Sequence, residues 1–311
     1  MNRLLKLCVA PVVLAAVAAI SGCNGARDTA LSMLWQNGDK GFRIETYTRK
    51  DGSSTKFGQF VPLAYNDSKK YPVIIFLHGL GEGGTDAKAN LRVGLAPFVA
   101  DQADRFGFIC LFPQSPSGSW RENSREADDV IGILDAVGKK FPGADMDRVS
   151  LTGLSTGGYG TYAIGAQFKD RFACLAPMGS NEDYHDPSQL VGIPIHAIYN
   201  SGDMFAHDEG MINRIKSAGG NADYEVYDAA GHDCWERAYS EGGLFAWMQT
   251  QHRRVSARPA MITPDHPTLV TPSTSIVSRP TVASMPAAQS PVAPAAPASR
   301  TTANGAMNTP F

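Results

Sequence analysis

The chain has no excess of charge of either sign. Twenty-eight Lys and Arg stand against 30 Asp and Glu, a formal balance of −2. No basic stripe or arginine cluster interrupts that balance, so a nucleic-acid-binding surface is not expected. Cysteine is scarce. Only Cys8, Cys23, Cys110, Cys174 and Cys234 occur, which is too sparse for a disulfide scaffold. No His/Cys/Asp cluster has metal-ligand spacing, so no metal is expected. No Gly-Lys-Ser/Thr follows a strand-like run, so no nucleotide cofactor is expected either. Internal repeats are missing. No stretch is left over for a large lid over a site.

Long apolar runs are also lacking. The longest, Leu7 to Ile20 behind a basic start at Arg3 and Lys6, is too short to span a bilayer. It reads as an export leader. Ile20-Ser21-Gly22-Cys23 resembles a bacterial lipoprotein cleavage site, which implies lipidation of Cys23 and attachment to a membrane by that anchor. Asn24 rather than Asp follows the cysteine, which points to the outer membrane if the cell is Gram-negative. Losing Arg3 and Lys6 with the leader takes the formal charge to −4. Residues 1–22 are thus read as signal peptide and 23–39 as a short linker. Residues 40–255 are read as one folded domain, with 256–311 as a tail. The tail is rich in Pro, Ala, Ser and Thr, as in Pro291-Val292-Ala293-Pro294-Ala295-Ala296-Pro297. Such a composition cannot bury enough surface to offset ordering, so disorder is expected.

What the domain does have is a set of short apolar runs, each ending in a turn that carries a reactive residue. Val149-Ser150-Leu151-Thr152 leads into Gly153-Leu154-Ser155-Thr156-Gly157-Gly158. That is strand, Gly-x-Ser-x-Gly, and the small-residue start of a helix. A serine on such a turn is held in strained backbone with its hydroxyl outward, as a nucleophile requires. Ile193-Pro194-Ile195-His196-Ala197-Ile198-Tyr199 is a buried strand that delivers Asp203 at its carboxyl end. Tyr224-Glu225-Val226-Tyr227 runs into Gly231-His232-Asp233-Cys234-Trp235. The order Ser, Asp, His then assigns roles. His232 is the base for Ser155, and Asp203 orients and stabilises the imidazole. Asp208, Asp183, Asp186 and Asp228 are nearby competitors for the acid. Upstream, Tyr71 to Leu77 is an apolar strand ending in His78-Gly79-Leu80-Gly81-Glu82-Gly83-Gly84. The backbone N–H groups of Leu80 and Thr156 would bind a developing oxyanion.

These motifs together resemble the α/β-hydrolase superfamily. Phe112-Pro113-Gln114-Ser115-Pro116 followed by Trp120 is similar to the corresponding segment of its small, lidless esterases. That subgroup comprises the phospholipase/carboxylesterase group and the feruloyl- and acetylxylan-esterase-like "predicted peptidases". The resemblance covers roughly residues 40 to 252. It implies an α/β fold with a doubly wound, mostly parallel sheet of about eight strands and helices on both faces. It also implies a serine hydrolase of carboxylic esters working through an acyl-enzyme, with acyl or feruloyl groups on polysaccharide as one substrate class. The alternatives are a peptidase on the same triad, and a non-catalytic surface protein that keeps the fold for binding.

Further expectations concern single residues. Phe42–Thr46 and Phe57–Val61 are expected as antiparallel edge strands. A helix is expected to start near Asn123, with Glu126 as its capping-box partner. Trp120 and Trp235 are candidates for an aromatic wall against the substrate. Cys110 and Cys174, about three strands apart, are too distant to bridge. Cys234 is expected to line the site.

Overall fold

A computed structural model describes residues 38–180, 186–241 and 243–253. The leader, Cys23 and the Pro-rich tail lie outside the described residues. Among the described residues, no helix is long and apolar enough to cross a membrane.

Eight strands form one sheet. They are β1 (Gly41–Thr48), β2 (Ser54–Val61), β3 (Tyr71–Leu77), β4 (Ile109–Pro113), β5 (Ala144–Leu154), β6 (Cys174–Met178), β7 (Ile195–Gly202) and β8 (Ala222–Ala230). Their spatial order is β1-β2-β4-β3-β5-β6-β7-β8. The β1–β2 and β2–β4 pairs are antiparallel, and every pair from β4 to β8 is parallel. β1 is an edge strand as expected. β2 is not, because it is enclosed between β1 and β4.

The central strands are apolar on both faces because both are covered. In β3, Val73, Ile75 and Leu77 enter one core while Ile74 and Phe76 enter the other. The first core is closed by α2 (Arg125–Lys140), α3 (Thr156–Gln167) and α4 (Glu209–Ser217). The second is closed by α1 (Leu95–Asp101), α5 (Trp235–Ser240) and α6 (Leu244–Thr250). Arg49, at the β1–β2 turn, grips Asp129 of α2 with two N–H···O bonds of 2.5 Å. That fork pins the antiparallel hairpin to the helix layer.

The cap of α2 differs from expectation by one residue. Ser124 is the N-cap, and its Oγ accepts the Ala127 N–H at 3.1 Å. Asn123 precedes it in left-handed backbone, φ 55°, so Glu126 is not placed to close a capping box.

One topological fact positions everything that follows. From β3 the chain moves outward to β4, and from β5 it moves the opposite way to β6. The winding therefore reverses between β3 and β5. In open α/β sheets the crevice at the carboxyl ends of such a strand pair is where ligands bind. The loops leaving β3 and β5 are those of Leu80 and Ser155.

Candidate active site

Ser155 follows the last residue of β5 and caps α3. Its backbone is at φ 54°, ψ −120°, a region L-residues rarely occupy and that strained functional turns do. The turn is tolerable only because its neighbours lack side chains. A Cβ on Gly157 would stand 2.1 Å from the Leu77 carbonyl oxygen. The Ser155 N–H donates to Met178 O at 2.9 Å, which ties the turn to the end of β6.

Asp203 lies just past β7 with its side chain 1% exposed. Both carboxylate oxygens are used. Oδ2 meets His232 Nδ1 at 2.6 Å, and Oδ1 accepts the Phe205 N–H at 2.8 Å. A buried carboxylate so placed makes Nδ1 the donor and leaves Nε2 free to take a proton. The His232 ring is wedged edge-on against Trp235, centroids 5.4 Å apart, and lies 5.8 Å from the Phe205 ring. It also stands over Gly179, where an added Cβ would come within 3.3 Å of its Cε1. Met178 and Gly179 thus support the Ser155 turn and the imidazole together. The Ser155–His232 contact itself is not among the hydrogen bonds of the described residues. Catalytic contacts of this kind commonly close only around substrate.

The other acids are engaged elsewhere. Asp208 is fully buried and accepts the Ser180 hydroxyl at 2.6 Å. Asp228 faces Ser201 at 3.4 Å, and Asp186 caps a short turn through the Ser188 N–H. Asp183 lies outside the described residues.

Leu80 and Thr156 are each the first residue of a helical element, Leu80 of a 3-10 turn (Leu80–Glu82) and Thr156 of α3. First-turn N–H groups have no partner within their own helix, so both are free to serve an oxyanion. The loop between them is braced from behind. His78 is fully buried; its Nδ1 meets Gly79 O at 2.7 Å and its Nε2 accepts the Ser115 N–H at 3.0 Å. Burial pulls its pKa down to about 4, so it is a neutral strut and not a second base. Thr156 Oγ1 donates to Gly118 O at 2.8 Å. Gln114 donates to Glu82 O at 2.9 Å and accepts the Ala87 N–H at 2.6 Å. Burial raises the Glu82 pKa.

Two aromatic expectations need correction. Trp120 is 1% exposed, and its indole N–H donates to His78 O at 2.9 Å. A buried indole takes the partner that satisfies its N–H, so Trp120 holds the His78–Leu80 loop instead of forming an open wall. It does border a small cavity of about 210 Å³ together with Ser119, Arg121, Thr156 and Tyr159. Trp235 is 9% exposed and backs the imidazole. Cys234 is also buried, its thiol directed at Ile198 O, and burial pushes its pKa to about 12. It does not line the site. Cys110, Cys174 and Cys234 are all free and buried, with Cys110 on β4 and Cys174 on β6, three strand steps apart.

Gln114 and Ser115 stood in a segment that the sequence marked as esterase-like, but their role in holding the loop was not read from it. Sequence reasoning also missed Phe205, whose backbone fixes Asp203. Among the described residues, no group of three or more His, Cys, Asp or Glu could hold a metal ion.

Residues 116–184 match the family model of the prolyl oligopeptidase family. The chain is 24% identical over 163 residues to the bifunctional acetylxylan esterase/xylanase XynS20E of Neocallimastix patriciarum, a match covering 51% of this chain and 23% of that protein. It is 28% identical over 149 residues to dipeptidyl-peptidase 5 of Schizosaccharomyces pombe, covering 43% and 19%. The chain therefore spans about a fifth of the length of these curated relatives. Among solved structures, a thermostable esterase superposes with a TM-score of 0.60 at 26% identity, over 68% of this chain and 63% of that one. Fold and relatives agree: the chain has the α/β-hydrolase fold and is similar to its esterase- and peptidase-like group.

Proposed function

We propose that the protein is a serine hydrolase that cleaves carboxylic esters through an acyl-enzyme, with acetyl or feruloyl groups on polysaccharide as its substrate class. The observation that carries this reading is the 2.6 Å Asp203–His232 pair on the same sheet edge as the strained Ser155 turn. His232 Nε2 takes the Ser155 proton as Oγ attacks the ester carbonyl. The N–H groups of Leu80 and Thr156 receive the oxyanion. The imidazolium then gives its proton to the leaving alcohol, and water repeats the sequence to release the acid. The acetylxylan esterase relative supports the ester class.

A second reading, a peptidase on the same residues, is favoured by the prolyl oligopeptidase match over residues 116–184. Comparing p-nitrophenyl esters from acetate upward, plus methyl ferulate, with aminoacyl p-nitroanilides separates the two. Esters are expected to be turned over and anilides not. Faster anilide cleavage would overturn the ester reading. A protein inert to both, and unlabelled by a fluorophosphonate probe, would be a binding module that keeps the fold.

We also propose that the mature protein is exported and held at the outer membrane through a lipidated Cys23. The leader pattern supports this. In a Gram-negative host, Cys23→Ser should abolish incorporation of labelled palmitate and release the protein from the membrane fraction. Unchanged fractionation would sink the anchor.

A further inference from the structure

A single exposed apolar side chain is ordinary, whereas several gathered around one site mark a contact surface. Among the described residues four are exposed: Leu80 at 66%, Met204 at 82%, Phe205 at 69% and Val226 at 40%. Three of these sit on loops that carry the site. Leu80 follows β3, whereas Met204 and Phe205 follow β7. Because β3 and β7 lie on opposite sides of β5 in the sheet, the Ser155 turn lies between an apolar wall on one flank and another on the far flank. The two walls are not equivalent. Leu80 belongs to the oxyanion loop. Phe205 belongs to the base, since its N–H holds Asp203 Oδ1 at 2.8 Å and its ring meets the His232 imidazole at 74°, centroids 5.8 Å apart. One tight turn thus fixes the acid and places an exposed ring beside the base.

The chemistry orients the substrate against that ring. His232 must hand its proton to the departing oxygen, so the alcohol half of the ester leaves from the imidazole side. We propose that Phe205 is the specificity-determining contact for the leaving alcohol, and that the alcohol carries an apolar face, either an aromatic ring or the C–H face of a sugar ring. This rests on the acyl-enzyme reading above. The ring contributes contact area at little cost in conformational entropy, because it has only two side-chain torsions and packs on His232 already.

By microscopic reversibility, an alcohol that captures the acyl-enzyme uses the site the leaving alcohol vacates. Purified protein is supplied with p-nitrophenyl acetate and competing acceptors: methanol against benzyl alcohol in one arm, and methanol against methyl glucoside in the other. The ratio of ester products is self-normalising within each variant. In wild type, at least one ring-bearing acceptor should be favoured over methanol, and the arm that shows the preference identifies the class. Phe205→Ala should lower that ratio about tenfold, the scale of one lost ring contact. Phe205→Leu, which keeps an apolar side chain and guards against a folding defect, should lower it less. Varying the acyl group from acetyl to butyryl at fixed alcohol should give the same chain-length profile in wild type and variants. An unchanged acceptor ratio, or a shift confined to the acyl series, overturns the assignment of Phe205 alone. No turnover of any ester by wild type overturns the acyl-enzyme reading with it.

Discussion

Ser155→Ala should remove about 10⁶-fold of kcat on any ester the protein turns over, the scale of loss when a residue acting within such a unit is deleted. The substitution deletes one oxygen and keeps the Cβ that the φ 54° turn already accommodates. The fold should survive it, and an unchanged thermal midpoint checks this. Asp203→Asn should cost about 10⁴-fold, for a reason that can be followed atom by atom. Oδ1 of Asp203 accepts the Phe205 N–H, so the asparagine carbonyl will keep that position. Its NH₂ then faces His232 Nδ1, where Oδ2 now stands. Facing a donor, Nδ1 must present its lone pair, and the ring proton moves to Nε2. Nε2 can then no longer take the serine proton. Asp208 offers no rescue, since it is committed to the Ser180 hydroxyl. The double variant should be no slower than Ser155→Ala alone, because the residues act as a unit. Stopped-flow rates on p-nitrophenyl acetate give all three numbers. Retention of wild-type rates in either single variant would mean that another group is the nucleophile or its orienter.

The site was legible in the sequence where its chemistry demands a local backbone. The Ser155 turn needs glycines around it, and the runs before Ser155 and Asp203 are largely buried because both sheet faces are covered, whereas β8, which leads to His232, is an edge strand with exposed positions. Those signals are short-range. The residues that sequence reasoning misread are defined by contacts across long separations. Trp120 looked like a free aromatic, yet its position is set by the His78 carbonyl, 42 residues away. Cys234 follows His232 closely in the chain but turns into the core under β7. Phe205 belongs to no motif, and it is the structure that shows it exposed. The α2 cap slipped by one residue because Asn and Ser are both good caps. Asn123 tolerates the left-handed backbone that the preceding turn imposes, which leaves the capping position to Ser124.

His78 supplies the remaining large effect, and it concerns stability instead of chemistry. In the folded chain both ring nitrogens are occupied, Nδ1 at Gly79 O and Nε2 by the Ser115 N–H. Protonation of Nε2 would turn that acceptor into a donor facing another donor, in a fully buried site. Burial accordingly holds the pKa at about 4 against 6.5 for a free imidazole. The sign follows from which state binds the proton first. Above about pH 6.5 the ring is neutral in both states, and the group contributes no pH dependence. Between about 6.5 and 4 the unfolded chain is protonated and the folded one is not. Stability should therefore fall by about 1.4 kcal/mol per pH unit from this group alone, roughly 3 kcal/mol by pH 4. Below that both states are protonated and the loss stops growing. His78→Gln has no titrating group and can still offer an oxygen to the Ser115 N–H. At pH 7 it should be less stable by about 1 kcal/mol, for the bond to Gly79 it gives up. Its stability curve should nonetheless be shallower by one proton between pH 6.5 and 4, so that wild type loses its advantage as the solution is acidified. Urea midpoints at half-unit steps of pH test this, and parallel curves would overturn it. The residue that titrates supports Gly79 and, through its carbonyl, Trp120, so the loop that carries Leu80 is the part of the candidate site that acid should loosen first.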